Sequence, residues 1–192
     1  MPELLTILLA GILTDNYVLS RTTGICPFLG VSKKFNQALG MSIAVIFVIL
    51  FATAATWPIY TYLLAKFNLA YLKTIVFILV IASLVQFVEI ILKKFIPPLY
   101  KSLGVYLPLI TTNCIVLGIT EENISKTRDF IPSMVASLGV GVGFLVAMIL
   151  FAGVRSRIEN SPSPKSFKGI PITLVAAAIV ALAFSGFKEI GV

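Results

Sequence analysis

Histidine is absent from this 192-residue chain. That excludes histidine-ligated haem, histidine metal sites, Ser-His catalytic pairs and histidine proton relays. Charge is scarce too. Only 12% of residues are Asp, Glu, Lys or Arg, about half the usual share of a soluble domain. Acids number eight against fifteen bases. Cysteine occurs twice, as Cys26 and Cys114, and the other soft side chains are four methionines. Any redox chemistry therefore runs through those two thiols or through a partner's cofactor.

What remains is apolar. Hydrophobic residues make up 58% of the chain and the mean hydropathy is +1.03, the composition of an integral membrane protein. The net charge of +7 does not indicate nucleic acid, because no basic stripe with interleaved aromatics is present. Met1-Pro2-Glu3 is not a basic leader start and no small-x-small cleavage site follows, so no cleavable signal is expected.

The stretches between charges read as spans. Residues 4–32 carry only Asp15 and Arg21, 35–65 carry no charge, and 74–92 carry only Glu89; 102–120, 130–154 and 169–187 carry none. A helix crosses the hydrocarbon core in about 20 residues, so the expectation is an all-α membrane protein with six spans in one domain, 1–192. The first segment is too long for one straight helix and is interrupted near Gly24 and Pro27. The fourth is interrupted by Pro108 and Thr111-Thr112-Asn113. One side would carry Lys33, Lys34, Lys93, Lys94, Lys101, Arg155, Arg157, Lys165 and Lys168 against Glu159 alone. The other would carry five bases balanced by five acids. The basic side is then cytoplasmic and both termini lie outside. Trp57, Tyr60 and Tyr62 would end the second span at the outer interface.

Three spans per half make residues 1–98 and 99–192 repeats of opposite orientation. Thr23-Gly-Ile-Cys26-Pro-Phe-Leu29-Gly30 and Thr111-Thr-Asn-Cys114-Ile-Val-Leu117-Gly118 share Thr-x-x-Cys-x-x-Leu-Gly in register. Cys26 lies seven residues before Lys33 and Cys114 seven before Glu121, as a two-fold axis in the membrane plane requires. Interrupted helices at matching places mark a site near the bilayer midplane. Two thiols are half of what an iron–sulfur cluster takes, which points to a redox protein completed by a partner. The competing reading is that each Cys is an inert small apolar residue.

Other residues carry alternatives as well. Arg21, within the first apolar segment, either offsets the charge of a thiolate-held cluster, pairs with Asp15, or snorkels to the interface. Glu89, one turn beyond Gln86, belongs to a cation path or to an i,i+4 pair with Lys93; Asp15-Asn16 is weighed in the same way. Gly139-Val-Gly-Val-Gly143 lies inside an apolar span with no strand before it. It is a close helix-packing face rather than a dinucleotide loop.

Asn16-Tyr-Val-Leu19, Gly24-Ile-Cys-Pro-Phe-Leu-Gly-Val-Ser-Lys-Lys34, Phe77-Ile-Leu-Val-Ile-Ala82, Leu107-Pro-Leu-Ile-Thr-Thr-Asn-Cys-Ile-Val-Leu-Gly118 and Ala183-Phe-Ser-Gly-Phe187 together resemble the RnfA/NqrE family, in particular the A-type membrane component of the bacterial Rnf complex. The E-type component of the sodium-translocating NADH:quinone oxidoreductase shares the plan; Pro27 and Thr112 favour the Rnf version. The resemblance implies a bacterial plasma-membrane complex coupling electron flow between ferredoxin and NAD to Na⁺ or H⁺ translocation. It implies a homologous partner of inverted topology (RnfE-like), two Cys from each chain holding one [2Fe-2S] cluster, and further subunits bearing flavins, clusters and the NAD site. Carried onto this sequence, the ligands are Cys26 and Cys114, with Gly24, Gly30, Asn113 and Gly118 around them. An inverted-repeat secondary transporter remains the alternative of another class.

Overall fold

The structure, a computed structural model, describes residues 2–32, 35–67, 70–95, 109–110, 112–158, 164 and 168–189. Among them every regular element is helical and there is no strand. The elements are α1 (Pro2–Leu9), α2 (Ile25–Val31), α3 (Phe35–Ile59), α4 (Lys73–Phe95), α5 (Cys114–Ser125), α6 (Phe130–Ile158) and α7 (Ile170–Glu189). Among the described residues three helices are long and apolar enough to cross a membrane: Phe35–Leu64, Lys73–Ile91 and Phe130–Ile158; Glu3–Thr14 and Ile170–Gly186 are apolar but shorter.

The helix α6 is central and packs along α3 on one side and α1 on the other. Glycine makes this approach close. A Cβ on Gly143 would lie 2.6 Å from the Gly11 carbonyl oxygen, and one on Gly139 would lie 2.8 Å from that of Leu8. Gly141, between them, faces Ile46 of α3 instead, at 3.0 Å. The packing face read from Gly139 and Gly143 serves the first segment, and Gly141 adds a second close approach toward α3. Met41, Val45 and Ile49 of α3, spaced four apart, meet Phe144, Met148 and Phe151 of α6 in a fully buried core. Thr53 and Ser137 hydroxyls close a buried 2.7 Å hydrogen bond between the same helices.

The helix α4 is peripheral. It buries Phe77, Ile81 and Val85 along one stripe while Ile78, Leu79, Phe87 and Ile90 are more than half exposed. A helix apolar on every face is either buried or bathed in lipid, and α4 is not buried. Its Lys93 and Lys94 sit in the last turn, where the helix dipole favours cations.

The first apolar segment is interrupted. Pro2 opens α1 at a position that needs no amide donor, and α1 passes into a π-helical turn over Ala10–Thr14. Regular helix resumes only at Ile25. Asn16, fully buried, organises the gap. Its Oδ1 accepts from the amides of Val18 (3.0 Å) and Leu19 (3.4 Å), and its Nδ2 donates to the carbonyls of Gly143 (2.9 Å) and Ile12 (3.2 Å). Asn16 is fully used as a structural strut. In the fourth segment Pro108 and Thr111 lie outside the described residues. Asn113 is extended (φ −72°, ψ 113°) and caps α5, its side chain accepting from the Ile115 amide.

Candidate functional site

The two cysteine frames meet in space. The backbone amide of Gly24, from the first frame, donates to the Sγ of Cys114, in the second, at 2.9 Å. Cys26 follows two residues later in the first turn of α2, and Cys114 is the first residue of α5. Both stand where unpaired amides and the dipole favour a negative ligand set.

Only glycine can occupy position 24. Its φ is +80°, and a Cβ there would meet Ile115 Cδ1 at 2.4 Å and Cγ1 at 2.7 Å. Ile115 is fully buried, so making room means shifting a side chain within a packed core. Asn113, 4% exposed, lies against the same spot, its Oδ1 3.5 Å from where that Cβ would be. Its Nδ2 has no hydrogen-bond partner among the described residues.

Both thiols are free and exposed on the surface of the chain, above a floor of buried Gly24, Pro27, Phe28 and Ile115. Among the described residues no three His, Cys, Asp or Glu side chains converge as a metal cage. The donor set therefore fits half of an iron–sulfur cluster. Two free cysteine sulfurs are exposed, glycine leaves room for backbone approach, and the outward face is open to ligands from a second chain.

The helix α2 is anchored to α6 at its far end. Phe28 stacks on Phe151 with ring centroids 4.2 Å apart. Arg155, 6% exposed, donates to the Leu29 carbonyl at 2.6 Å and the Ser32 hydroxyl at 2.7 Å. A cation on terminal carbonyls satisfies both the orphan acceptors and the dipole. Gly30 takes Leu109 at ordinary contact distance, while Gly118 faces the Tyr17 ring at 3.3 Å. Gly30 and Gly118 thus pack against the other half's interrupted segment, and only Gly24 meets a thiol.

A charge cluster joins the segment before Cys26 to the far half of α5. Arg21 holds Asp15 through two bonds, Nε to Oδ1 at 2.8 Å and Nη2 to Oδ2 at 2.5 Å. Its Nη1 also pairs with Glu122 of α5, its guanidinium lies 4.7 Å over the Tyr17 ring, and Tyr17 donates its own hydroxyl to Glu122. Lys126 Nζ reaches Glu122 at 2.6 Å and Arg128 approaches at 3.9 Å. Glu122 lies beyond residue 120, where the apolar run ends. Burial alone would raise its carboxyl, but hydrogen bonds from Lys126 and Tyr17 and the charge of Arg21 outweigh it and hold the group down at about 2. Arg21 accordingly ties the segment before Cys26 to the helix bearing Cys114, and two carboxylates of this chain already meet its charge.

Glu89 lies elsewhere, on an apolar groove of 470 Å³ between α3 and α4 with Phe47, Phe51, Phe87 and Ile110. Sequence reasoning missed Tyr17, Glu122 and Arg155. The one legible signal was the i,i+4 spacing of Glu122 and Lys126.

An all-helical chain of apolar helices with two juxtaposed cysteine frames defines a class of membrane subunits, and the match is specific. Residues 4–190 match the family described as Rnf-Nqr subunit, membrane protein, and the chain belongs to that family. Over 187 residues it is 51% identical to the A-type component of the ion-translocating oxidoreductase complex of Syntrophotalea carbinolica, covering 97% of both chains. It is 50% identical over 185 residues to the A-type component of the Na⁺-translocating ferredoxin:NAD⁺ oxidoreductase complex of Acetobacterium woodii, covering 96% of each. The corresponding component from Azoarcus sp. is 48% identical over 187 residues, 97% of each chain. These relatives are subunits of ion-translocating oxidoreductase complexes.

Proposed function

We propose that this chain is a membrane electron-transfer subunit of a ferredoxin:NAD⁺ oxidoreductase that translocates Na⁺ or H⁺. In this reading Cys26 and Cys114 supply two of four ligands to a [2Fe-2S] cluster, and a homologous subunit of inverted topology supplies the others. The observation that carries it is the 2.9 Å bond from the Gly24 amide to the Cys114 sulfur, which joins the two frames while both thiols face outward. When bound, such a cluster supplies a one-electron relay within a hydrocarbon core about 30 Å thick. The chain's own residues hold its half rigid. Gly24 admits the sulfur, Asn113 caps the helix behind it, and Arg155 and Phe28 pin α2.

The same reading gives six spans in two inverted halves, 1–98 and 99–192, in the bacterial plasma membrane with both termini outside. Subunits carrying flavin, further clusters and the NAD site complete the complex. The exposed apolar surface of α4 supports membrane embedding, and the names of the relatives support the coupling of redox chemistry to ion movement.

The test is EPR with iron analysis on the complex purified with all its subunits. A [2Fe-2S] signal and its iron should disappear in Cys26→Ser and in Cys114→Ser. Undiminished signal and iron in both variants would refute the ligand assignment. Exchange of a labelled solute by this chain alone in liposomes would favour a secondary transporter instead.

A further inference from the structure

We propose that the backbone N–H of Gly24 does more than join the two frames: its bond to Cys114 Sγ raises the reduction potential of the shared cluster. This rests on the cluster reading above. Gly24 is the N-cap of α2, and an N-cap amide stands outside the hydrogen-bond ladder of its own helix. The residue is buried, where backbone N–H groups are seldom left without an acceptor. Its acceptor is the Cys114 sulfur, at 2.9 Å. The two thiols are therefore not equivalent. Cys114 accepts this amide, whereas no hydrogen bond reaches the Sγ of Cys26 among the described residues.

Glycine fixes the aim of this donor. With φ at +80°, a Cβ at position 24 would press on Ile115, the residue directly after Cys114. Any side chain would thus push the first turn of α5, and its sulfur, away from the amide. A neutral thiol is a weak acceptor, but hydrogen bonds strengthen as the acceptor gains negative charge. One-electron reduction of a thiolate-held cluster adds charge to its sulfurs. A fixed donor there stabilises the reduced form more than the oxidised form and so raises the potential.

The experiment is a redox titration followed by EPR on the complete complex, with glycolic acid in place of Gly24. That exchange turns the amide between Thr23 and Gly24 into an ester. It removes the donor, adds no Cβ and leaves the left-handed conformation accessible. We expect normal cluster content and a midpoint lower by about 59 mV, a tenfold shift in the one-electron equilibrium. The same exchange at Gly153, inside α6 with nothing within 4 Å of where a Cβ would be, should leave the midpoint where it was. Pulsed EPR on the unaltered complex grown with ¹⁵N-glycine should show a weak nitrogen coupling to the reduced cluster, diminished in the Gly24 ester. A cluster signal with no glycine coupling overturns the proposal even where the ester variant does not assemble. Undiminished coupling or an unmoved midpoint in the Gly24 ester, or an equal fall in the Gly153 ester, overturns it alone. An unaltered complex with no cluster signal overturns the preceding reading and this one together.

Discussion

Replacing Gly24 by alanine probes the junction most directly. The backbone there has φ +80°, and a left-handed conformation costs an L-residue roughly 1–2 kcal/mol. The new methyl would lie 2.4 Å from Ile115 Cδ1 and 2.7 Å from Cγ1. Since Ile115 is fully buried, the crowding adds about 1–3 kcal/mol. The sum, roughly 2–5 kcal/mol, corresponds to a melting temperature lower by about 4–20 °C for a chain of this size. Thermal denaturation of the purified complex, read beside its iron content, measures both consequences. Two controls separate the causes. Gly30→Ala, whose Cβ would sit at an ordinary 3.5 Å from Leu109, should be neutral or gain up to about 1 kcal/mol from lower chain entropy. Gly24→Ala combined with Ile115→Ala should be less harmful than the two single changes added, by about 1–3 kcal/mol, because the clash is removed while the strain at φ +80° persists. Strict additivity, or a harmless Gly24→Ala, would refute the reasoning.

Gly143→Ala should lose at least about 1–3 kcal/mol, since its methyl would meet the Gly11 carbonyl at 2.6 Å, whereas Gly153→Ala, with nothing within 4 Å, should be silent in the same melting assay. Arg155→Met should cost about 2–3 kcal/mol by stranding the Leu29 carbonyl and Ser32, with Arg155→Lys recovering part of it. Glu122→Gln should be destabilising near neutral pH by at most on the order of 3 kcal/mol. The Glu122 carboxyl is lowered from 4.5 to about 2, so its contribution is present above the unfolded value and lost as pH falls through the folded one. The gap between variant and unaltered chain should therefore stay constant down to about pH 4.5 and close toward about pH 2; a gap that closes above that window contradicts the pairing.

Local chemistry made part of this legible in advance. The register of the two cysteine frames, the interruption before Cys26 and the close approach of Gly139 and Gly143 all depend on residues near in sequence or on glycine's missing side chain. What could not be read were pairings across the chain. Arg155 terminates an apolar run, where a positive charge ordinarily means an interface; nothing local shows that α2 brings it the Leu29 carbonyl from 126 residues away. Glu122 stood only as one acid in the charge balance of a loop side, because its partners Tyr17 and Arg21 lie more than 100 positions earlier. The frames were visible, but their meeting was not: the Gly24 amide reaches Cys114 only once α5 lies against the irregular stretch.

The saturated bonding of Asn16 bears on leakage. An unwound stretch inside lipid would ordinarily draw water to its bare peptide groups, and water would short-circuit any gradient the machine builds. Here one carboxamide answers three of those groups, at Ile12, Val18 and Leu19, and ties the kink to the Gly143 carbonyl of α6 as well, so the break carries its own hydrogen-bond partners.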